Sequence, residues 1–186
     1  MEYLGLNDSN QSPASRLATF VAAYKHYVTI YSNARLPDVA IFDESLARDI
    51  AEIVFGYGDL VSLYLETSFP AVDLGSQAAA CAIQVTLSGS TTTIVETQEK
   101  FFAHGLDGIY SRLTFIILGE KQATYDSERI VRSRGAFAFD PDRDIYDLDD
   151  LFNILVSSAD PAKMEAFADR LQRELGSSAR PYGGDP

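Results

Sequence analysis

Cysteine is all but missing: Cys81 is the single one in 186 residues. A lone thiol closes no intramolecular disulfide, and a zinc site built on several thiolates is excluded. Histidine is scarce too. His26 and His104 are the two present, both in segments with helical spacing and neither with a nucleophile nearby, so both read as surface or boundary residues. No apolar run approaches the ~20 residues of a membrane span. The opening stretch, residues 1–13, has neither a basic patch nor an apolar core, so it does not read as a secretory signal. These absences lead us to expect a cytoplasmic protein with no membrane partner. A P-loop and a Gly-x-Ser-x-Gly elbow are also lacking. Gly56-Tyr-Gly58 starts like a dinucleotide loop, but it follows a helical segment and has Val61 in place of the third glycine.

Cations are in deficit. Lys and Arg number 15 against 27 Asp and Glu, a net charge of -12. Phosphate contacts need cations, so this balance argues against a domain that grips DNA tightly on its own. A local basic patch or a bound divalent metal still attracts phosphate. The densest basic patch is Arg129, Arg132 and Arg134, with a solvated loop as the plainer reading and a phosphate contact as the sharper one. Asp140-Pro-Asp-Arg-Asp144 has the start of a calcium-loop spacing. It lacks the glycine at the sixth place (Ile145) and the closing glutamate (Leu151), so it reads as an acidic turn.

What is present suits one globular domain with a real core: 46% of residues are hydrophobic and 23% charged. Residues 1–11 are polar and read as a flexible N-terminus, 12–176 as the domain, and 177–186 as a flexible tail or linker. Ser12-Pro13 is an N-cap and first-turn pair that opens a helix carrying Leu17, Phe20, Val21, Tyr24, Val28 and Tyr31. A turn is expected at Leu36-Pro37-Asp38. A second helix runs from Asp43, as N-cap, to Phe55, and Gly56 stops it. Three strand-length apolar segments follow, at 60–65, 69–74 and 80–87. Ser88-Gly89-Ser90 then caps a helix carrying Ile94, Val95, Phe101 and Phe102. Leu113 to Leu118 is β-branched and aromatic and reads as a buried strand. A further short strand is expected at 136–139 and a short helix at 151–156. After Asp160-Pro161 comes a helix with the stripe Met164, Phe167, Leu171 and Leu175.

The chemistry concentrates in three residues. Asp73 is expected to close the second strand, and Gln84 lies on the third, across a short turn. An antiparallel hairpin would bring them together. Glu44, on the preceding helix, can point to the same end of the sheet. Hard oxygens gathered in this way hold Mg²⁺, which lowers the pKa of a bound water and offsets charge on a phosphate. The plainer structural alternative is that Asp73 caps a strand end, Glu44 sits in a first turn, and Gln84 is a satisfied polar residue of the sheet.

This order of elements resembles the PD-(D/E)xK nuclease superfamily, in which an Asp ends one strand and Glu-x-Lys or Gln-x-Lys lies on the next. More narrowly, Leu36-Pro-Asp-Val-Ala-Ile-Phe-Asp-Glu44, Phe69-Pro-Ala-Val-Asp-Leu-Gly75, Ile83-Gln-Val-Thr86 and Tyr110-Ser-Arg-Leu-Thr-Phe-Ile-Ile-Leu118 resemble the bacterial SMEK domain, over roughly residues 14–155. The resemblance implies an α/β fold with a restriction-endonuclease-like core: a central mixed sheet flanked by helices, in the order α-α-β-β-β-α-β, then C-terminal helices. It implies a domain that heads larger bacterial proteins in anti-phage defence, with nucleic acid and other subunits of a defence complex as partners. It also implies Mg²⁺ held by Asp73, Glu44 and Gln84. One place departs from the pattern: Thr86 stands where the nuclease motif has Lys. Lys100 on the next helix is the candidate stand-in for that charge, and Arg112 is a candidate phosphate contact. Two readings stay open, a metal-dependent nuclease-like effector and a catalytically inactive module of the same fold that serves recognition or oligomerisation.

Overall fold

The computed structural model describes residues 11–34, 44–63 and 72–178. Helix α1 (Pro13–Ala34) starts where Ser12 Oγ accepts the Ser15 N–H at 3.2 Å. Helix α2 (Glu44–Phe55) stops at Gly56, whose φ of +73° suits glycine and whose N–H donates to Glu52 C=O. Strands β1 (Val61–Ser62), β2 (Leu74–Ser76) and β3 (Cys81–Thr86) form an antiparallel meander. Helix α3 (Thr91–Ala103) has Ser90 as its N-cap, accepting from the Thr93 N–H. Strand β4 (Arg112–Ile117) returns parallel to β3. Strands β5 (Ser133–Arg134) and β6 (Phe137–Ala138) make a separate two-stranded ribbon. A short helix α4 (Pro141–Asp144) leads into β7 (Ile145–Asp147), which pairs parallel with β4. Helices α5 (Leu148–Ser158) and α6 (Pro161–Ser178) complete the order.

Among the described residues, the main sheet has the order β1-β2-β3-β4-β7, antiparallel on one side and parallel on the other. Both faces of its centre are covered, which is why β3 and β4 read as nearly continuous apolar runs. On the first face Cys81, Ile83 and Ile116 share one buried cluster with Leu17, Val21 and Tyr24 of α1, Leu46 and Ile50 of α2, Leu151 of α5, and Phe167 and Leu171 of α6. On the second face Ala82, Leu113, Phe115 and Ile117 share another with Ile94 and Phe101 of α3 and with Phe137 and Phe139 beside the ribbon. Two ion networks clasp α6. Arg16 bonds Glu165, Asp169 and Gln172, and the buried Arg170 bonds Asp49 at 2.6 Å, Glu174 at 2.8 Å and Ser45 at 3.0 Å.

Several expectations need correction. The second strand begins at Leu74, where it was expected to end, and residues 69–71 lie outside the described ones. The reason is the turn. Asp59 accepts from Ser76 Oγ at 2.5 Å and from Ala78 N–H at 2.9 Å, so the reversal falls at residues 77–80 and Gly75-Ser76 stay in the sheet. The Asp140–Asp144 stretch is a short helix with Asp140 as N-cap, not a plain turn. The sheet gains a fifth strand, β7, from three residues that carry little strand signal by themselves. The helix expected at 151–156 starts earlier, at Leu148, because Asp147 and Asp150 form a capping box. The Asp43 cap and the turn at Leu36-Pro37-Asp38 fall outside the described residues.

Two backbone donors of the edge strand β7 are already taken. The Ile145 N–H donates to Pro141 C=O, and the Asp147 N–H donates to Asp150 Oδ2 at 2.9 Å.

Candidate functional site

The regular β2–β3 register ends just short of Asp73: Leu74 opposes Ile83 and Gly75 opposes Ala82. Asp73 itself is a bend, whose N–H donates to Ile83 C=O at 3.0 Å and whose C=O accepts the Leu63 N–H at 2.9 Å. Side chains alternate along a strand, so Gln84 and Thr86 share the second face with Ala82. The side chains of Asp73, Gln84 and Thr86 are half-buried, and each turns onto nearby backbone. Asp73 Oδ2 accepts the Val85 N–H at 2.7 Å. Gln84 Nε2 donates to Val85 C=O at 3.0 Å. Thr86 Oγ1 accepts the Ser88 N–H at 3.2 Å.

The remaining candidates lie elsewhere. Glu44 heads α2, whose core residues pack on the first face, and its side chain is outside the described residues. Lys100 is exposed in the last turn of α3. Because β4 runs parallel to β3, the connection must carry the chain back to the beginning of the strands. Lys100 therefore lies ~14 Å along the helix from Thr91, towards the Cys81 end and away from Thr86.

Arg112 is occupied. Its Nε and Nη2 donate to Asp144 Oδ1 at 3.2 and 2.6 Å, and Asp144 Oδ2 accepts the Asp140 N–H at 2.8 Å. The Asp144 side chain is 5% exposed and that of Arg112 is 40%. This pair fastens α4 to β4, and the hydrogen bond to Asp144 raises the Arg112 pKa further. Cys81 is fully buried, with Sγ 3.3 Å from Thr114 Oγ1, and burial pushes its thiol up. That is the opposite of what a nucleophilic thiol needs. His26 and His104 are exposed, and His104 is the C-cap of α3.

One polar cluster was not singled out from the sequence. It gathers where the parallel strands β3, β4 and β7 end. Lys121 Nζ pairs with Asp150 Oδ2 at 2.5 Å, Gln122 Oε1 accepts the Thr91 N–H at 2.7 Å, and Gly89 bridges to Lys121. Burial holds the Asp147 carboxyl above its ordinary value. The spacing Asp147-Leu-Asp-Asp150, with acceptors at both ends of a first turn, was the legible signal.

Asp73 and Gln84 supply one carboxylate and one amide oxygen. Among the described residues, no group of three or more His, Cys, Asp or Glu side chains gathers to hold a metal. Mg²⁺ needs a near-octahedral shell of hard oxygens. The described pair, already turned onto β3 backbone, does not fit that demand by itself.

The covered mixed sheet and its flanking helices define an α/β domain. The SMEK domain model matches residues 16–156, from α1 into α5, and the chain belongs to the SMEK domain family. No curated protein and no solved structure matches it. Among the described residues no helix is long and apolar enough to cross a membrane.

Proposed function

We propose that this SMEK domain is a nuclease-like module that works by recognition or assembly within a larger protein rather than by cutting. The observation that carries this reading is the engagement of Asp73: its carboxylate accepts the Val85 N–H at 2.7 Å and so ties the start of β2 to β3. A carboxylate used in this way is a structural brace. The order helix, three-stranded meander, helix, parallel strand supports the nuclease-like part of the reading, as does Asp73 lying against β3, the strand that carries Gln84. Thr86 supports the non-catalytic part. A hydroxyl carries no charge to set beside a scissile phosphate, where preorganised cations contribute most, and Thr86 already accepts from Ser88. A bacterial anti-phage assembly is the setting that the resemblance implies for such a module.

The test uses single- and double-stranded DNA and RNA, incubated with the protein in Mg²⁺ or Mn²⁺. No cleavage is expected. Asp73→Ala is expected to lower stability by about 1–3 kcal/mol, because the Val85 N–H loses its acceptor, and Asp73→Asn to lose less. Metal-dependent cleavage that disappears in Asp73→Ala while the melting temperature stays unchanged would overturn the reading.

A further inference from the structure

Given a recognition module, we propose that the β5–β6 ribbon is its nucleic-acid contact, with Arg129, Arg132 and Arg134 meeting the phosphodiester backbone. Lys25, Arg112, Lys121 and Arg170 are each held by a carboxylate at 2.5–2.6 Å. The ribbon arginines are held loosely: Arg132 stands 4.0 Å from Asp140 and Arg134 3.4 Å from Asp107, with side chains 51% and 56% exposed. Exposed pairs at such distances are worth little, so a phosphate can replace the carboxylates at small cost. Arg129 is exposed on the turn that enters the ribbon, where Asp126 directs Oδ1 to the Glu128 N–H at 3.0 Å. In a chain of net charge -12, three of 15 cationic side chains fall within residues 129–134.

The ribbon is also built to be rigid. Gln98, buried on α3, accepts the Val131 N–H at 2.9 Å and donates to Val131 C=O at 3.0 Å, so one side chain pairs with the backbone as a neighbouring strand would. Phe137 and Phe139 stack at an interplanar angle of 6° beneath it, both buried. Arg134 lies over the Phe102 ring at 4.7 Å, which orders its guanidinium in advance. A guanidinium ordered in advance, as that of Arg134 is, loses less freedom on meeting a ligand. Phosphate contacts of this kind position a polynucleotide without reading its sequence.

Fluorescence anisotropy with labelled 20-nucleotide DNA and RNA, single- and double-stranded, tests this. Three phosphate contacts predict that affinity falls about 20- to 40-fold between 50 and 200 mM KCl. Arg132→Gln/Arg134→Gln should lower the slope of log K against log salt by about 1.4–1.8. Arg129→Gln/Arg132→Gln leaves the stacking of Arg134 on Phe102 in place and should lower the slope equally, with an unchanged melting temperature. Absence of binding to any of the four probes at 50 mM KCl would refute the contact, as would a slope that both variants leave unchanged. Gel analysis of the same incubations reports cutting separately, so cleavage would overturn the non-catalytic reading while the slopes still judge the ribbon.

Discussion

Replacing Phe167 with alanine asks whether α6 belongs to the folding unit. Helix α6 starts at Pro161, beyond residue 156 where the family match ends. Yet Phe167, Ala168 and Leu171 are 0% exposed and share a cluster with Leu17 and Val21 of α1 and Ile50 of α2. Truncating a fully buried phenylalanine removes its transfer free energy and leaves a cavity, a loss of about 3–5 kcal/mol. For a chain of this size each kcal/mol moves the melting temperature by about 2–4 °C, so a drop of roughly 6–20 °C is expected. Differential scanning calorimetry measures it, with Val156→Ala as the control. Val156 is 38% exposed, and its truncation should stay within about 0.5 kcal/mol. Hydrogen exchange adds a second readout: amides of α6 should open with the same free energy as those of β3 and β4. If Phe167→Ala melts no lower than Val156→Ala, or α6 exchanges well ahead of the sheet, then burial in this cluster does not couple α6 to the domain.

Three more outcomes are expected. Arg112→Ala should cost more than Asp144→Ala in urea unfolding, about 3 kcal/mol or more against about 1–3, because it strands a carboxylate that is 5% exposed whereas the reverse change leaves a guanidinium that reaches water. Gly119→Ala should cost about 1–3 kcal/mol, since its Cβ would stand 2.4 Å from Leu87 O, a backbone atom that cannot swing away, whereas Gly58→Ala meets nothing within 4 Å and should be neutral or better. The Asp147 carboxyl is raised by burial, so its contribution to stability is complete below its unfolded pKa and is lost as pH rises through its folded pKa. Asp147→Asn keeps a good N-cap acceptor and should flatten the stability–pH curve just above the ordinary carboxylate range; a curve identical to wild type would contradict that cause.

The strongly periodic parts of the chain could be read from sequence. Leu17 to Val28 and Met164 to Leu171 face the core at helical spacing, as their pattern requires, and 81–86 and 112–117 are strands because only a pleated run buries such residues on both faces. That Asp73 lies against the strand carrying Gln84 followed from two short segments and a tight turn; that it sits in a bend ahead of β2, bonded to Ile83 and Val85, did not. What stayed hidden was set by side chains far apart in sequence. Asp59 fixes the turn that moves β2 two residues along, and no local propensity announces it. Ile145-Tyr-Asp147 becomes a strand because β4 offers an open edge, not because three residues prefer to extend. Asp144 looked like surface acidity until Arg112, 32 positions earlier, met it. The motif itself was legible as residue types at a spacing. Its use was not, because Val85, the backbone partner of both Asp73 and Gln84, is anonymous in the pattern.

The hydrogen bonds at the border of β7 have a consequence for how copies of the chain meet at high concentration. An exposed strand edge is a template on which identical copies can stack. Here both donors along that border already have acceptors, one in Pro141 and one in Asp150. The acceptors come from helices on either side of the strand, so they are lost only if α4 or the start of α5 unravels. The border therefore resists sheet-to-sheet fusion for as long as those two helices hold. A variant such as Asp150→Ala, which uncovers the Asp147 N–H, should turn turbid on prolonged warming sooner than its modest loss of stability alone predicts.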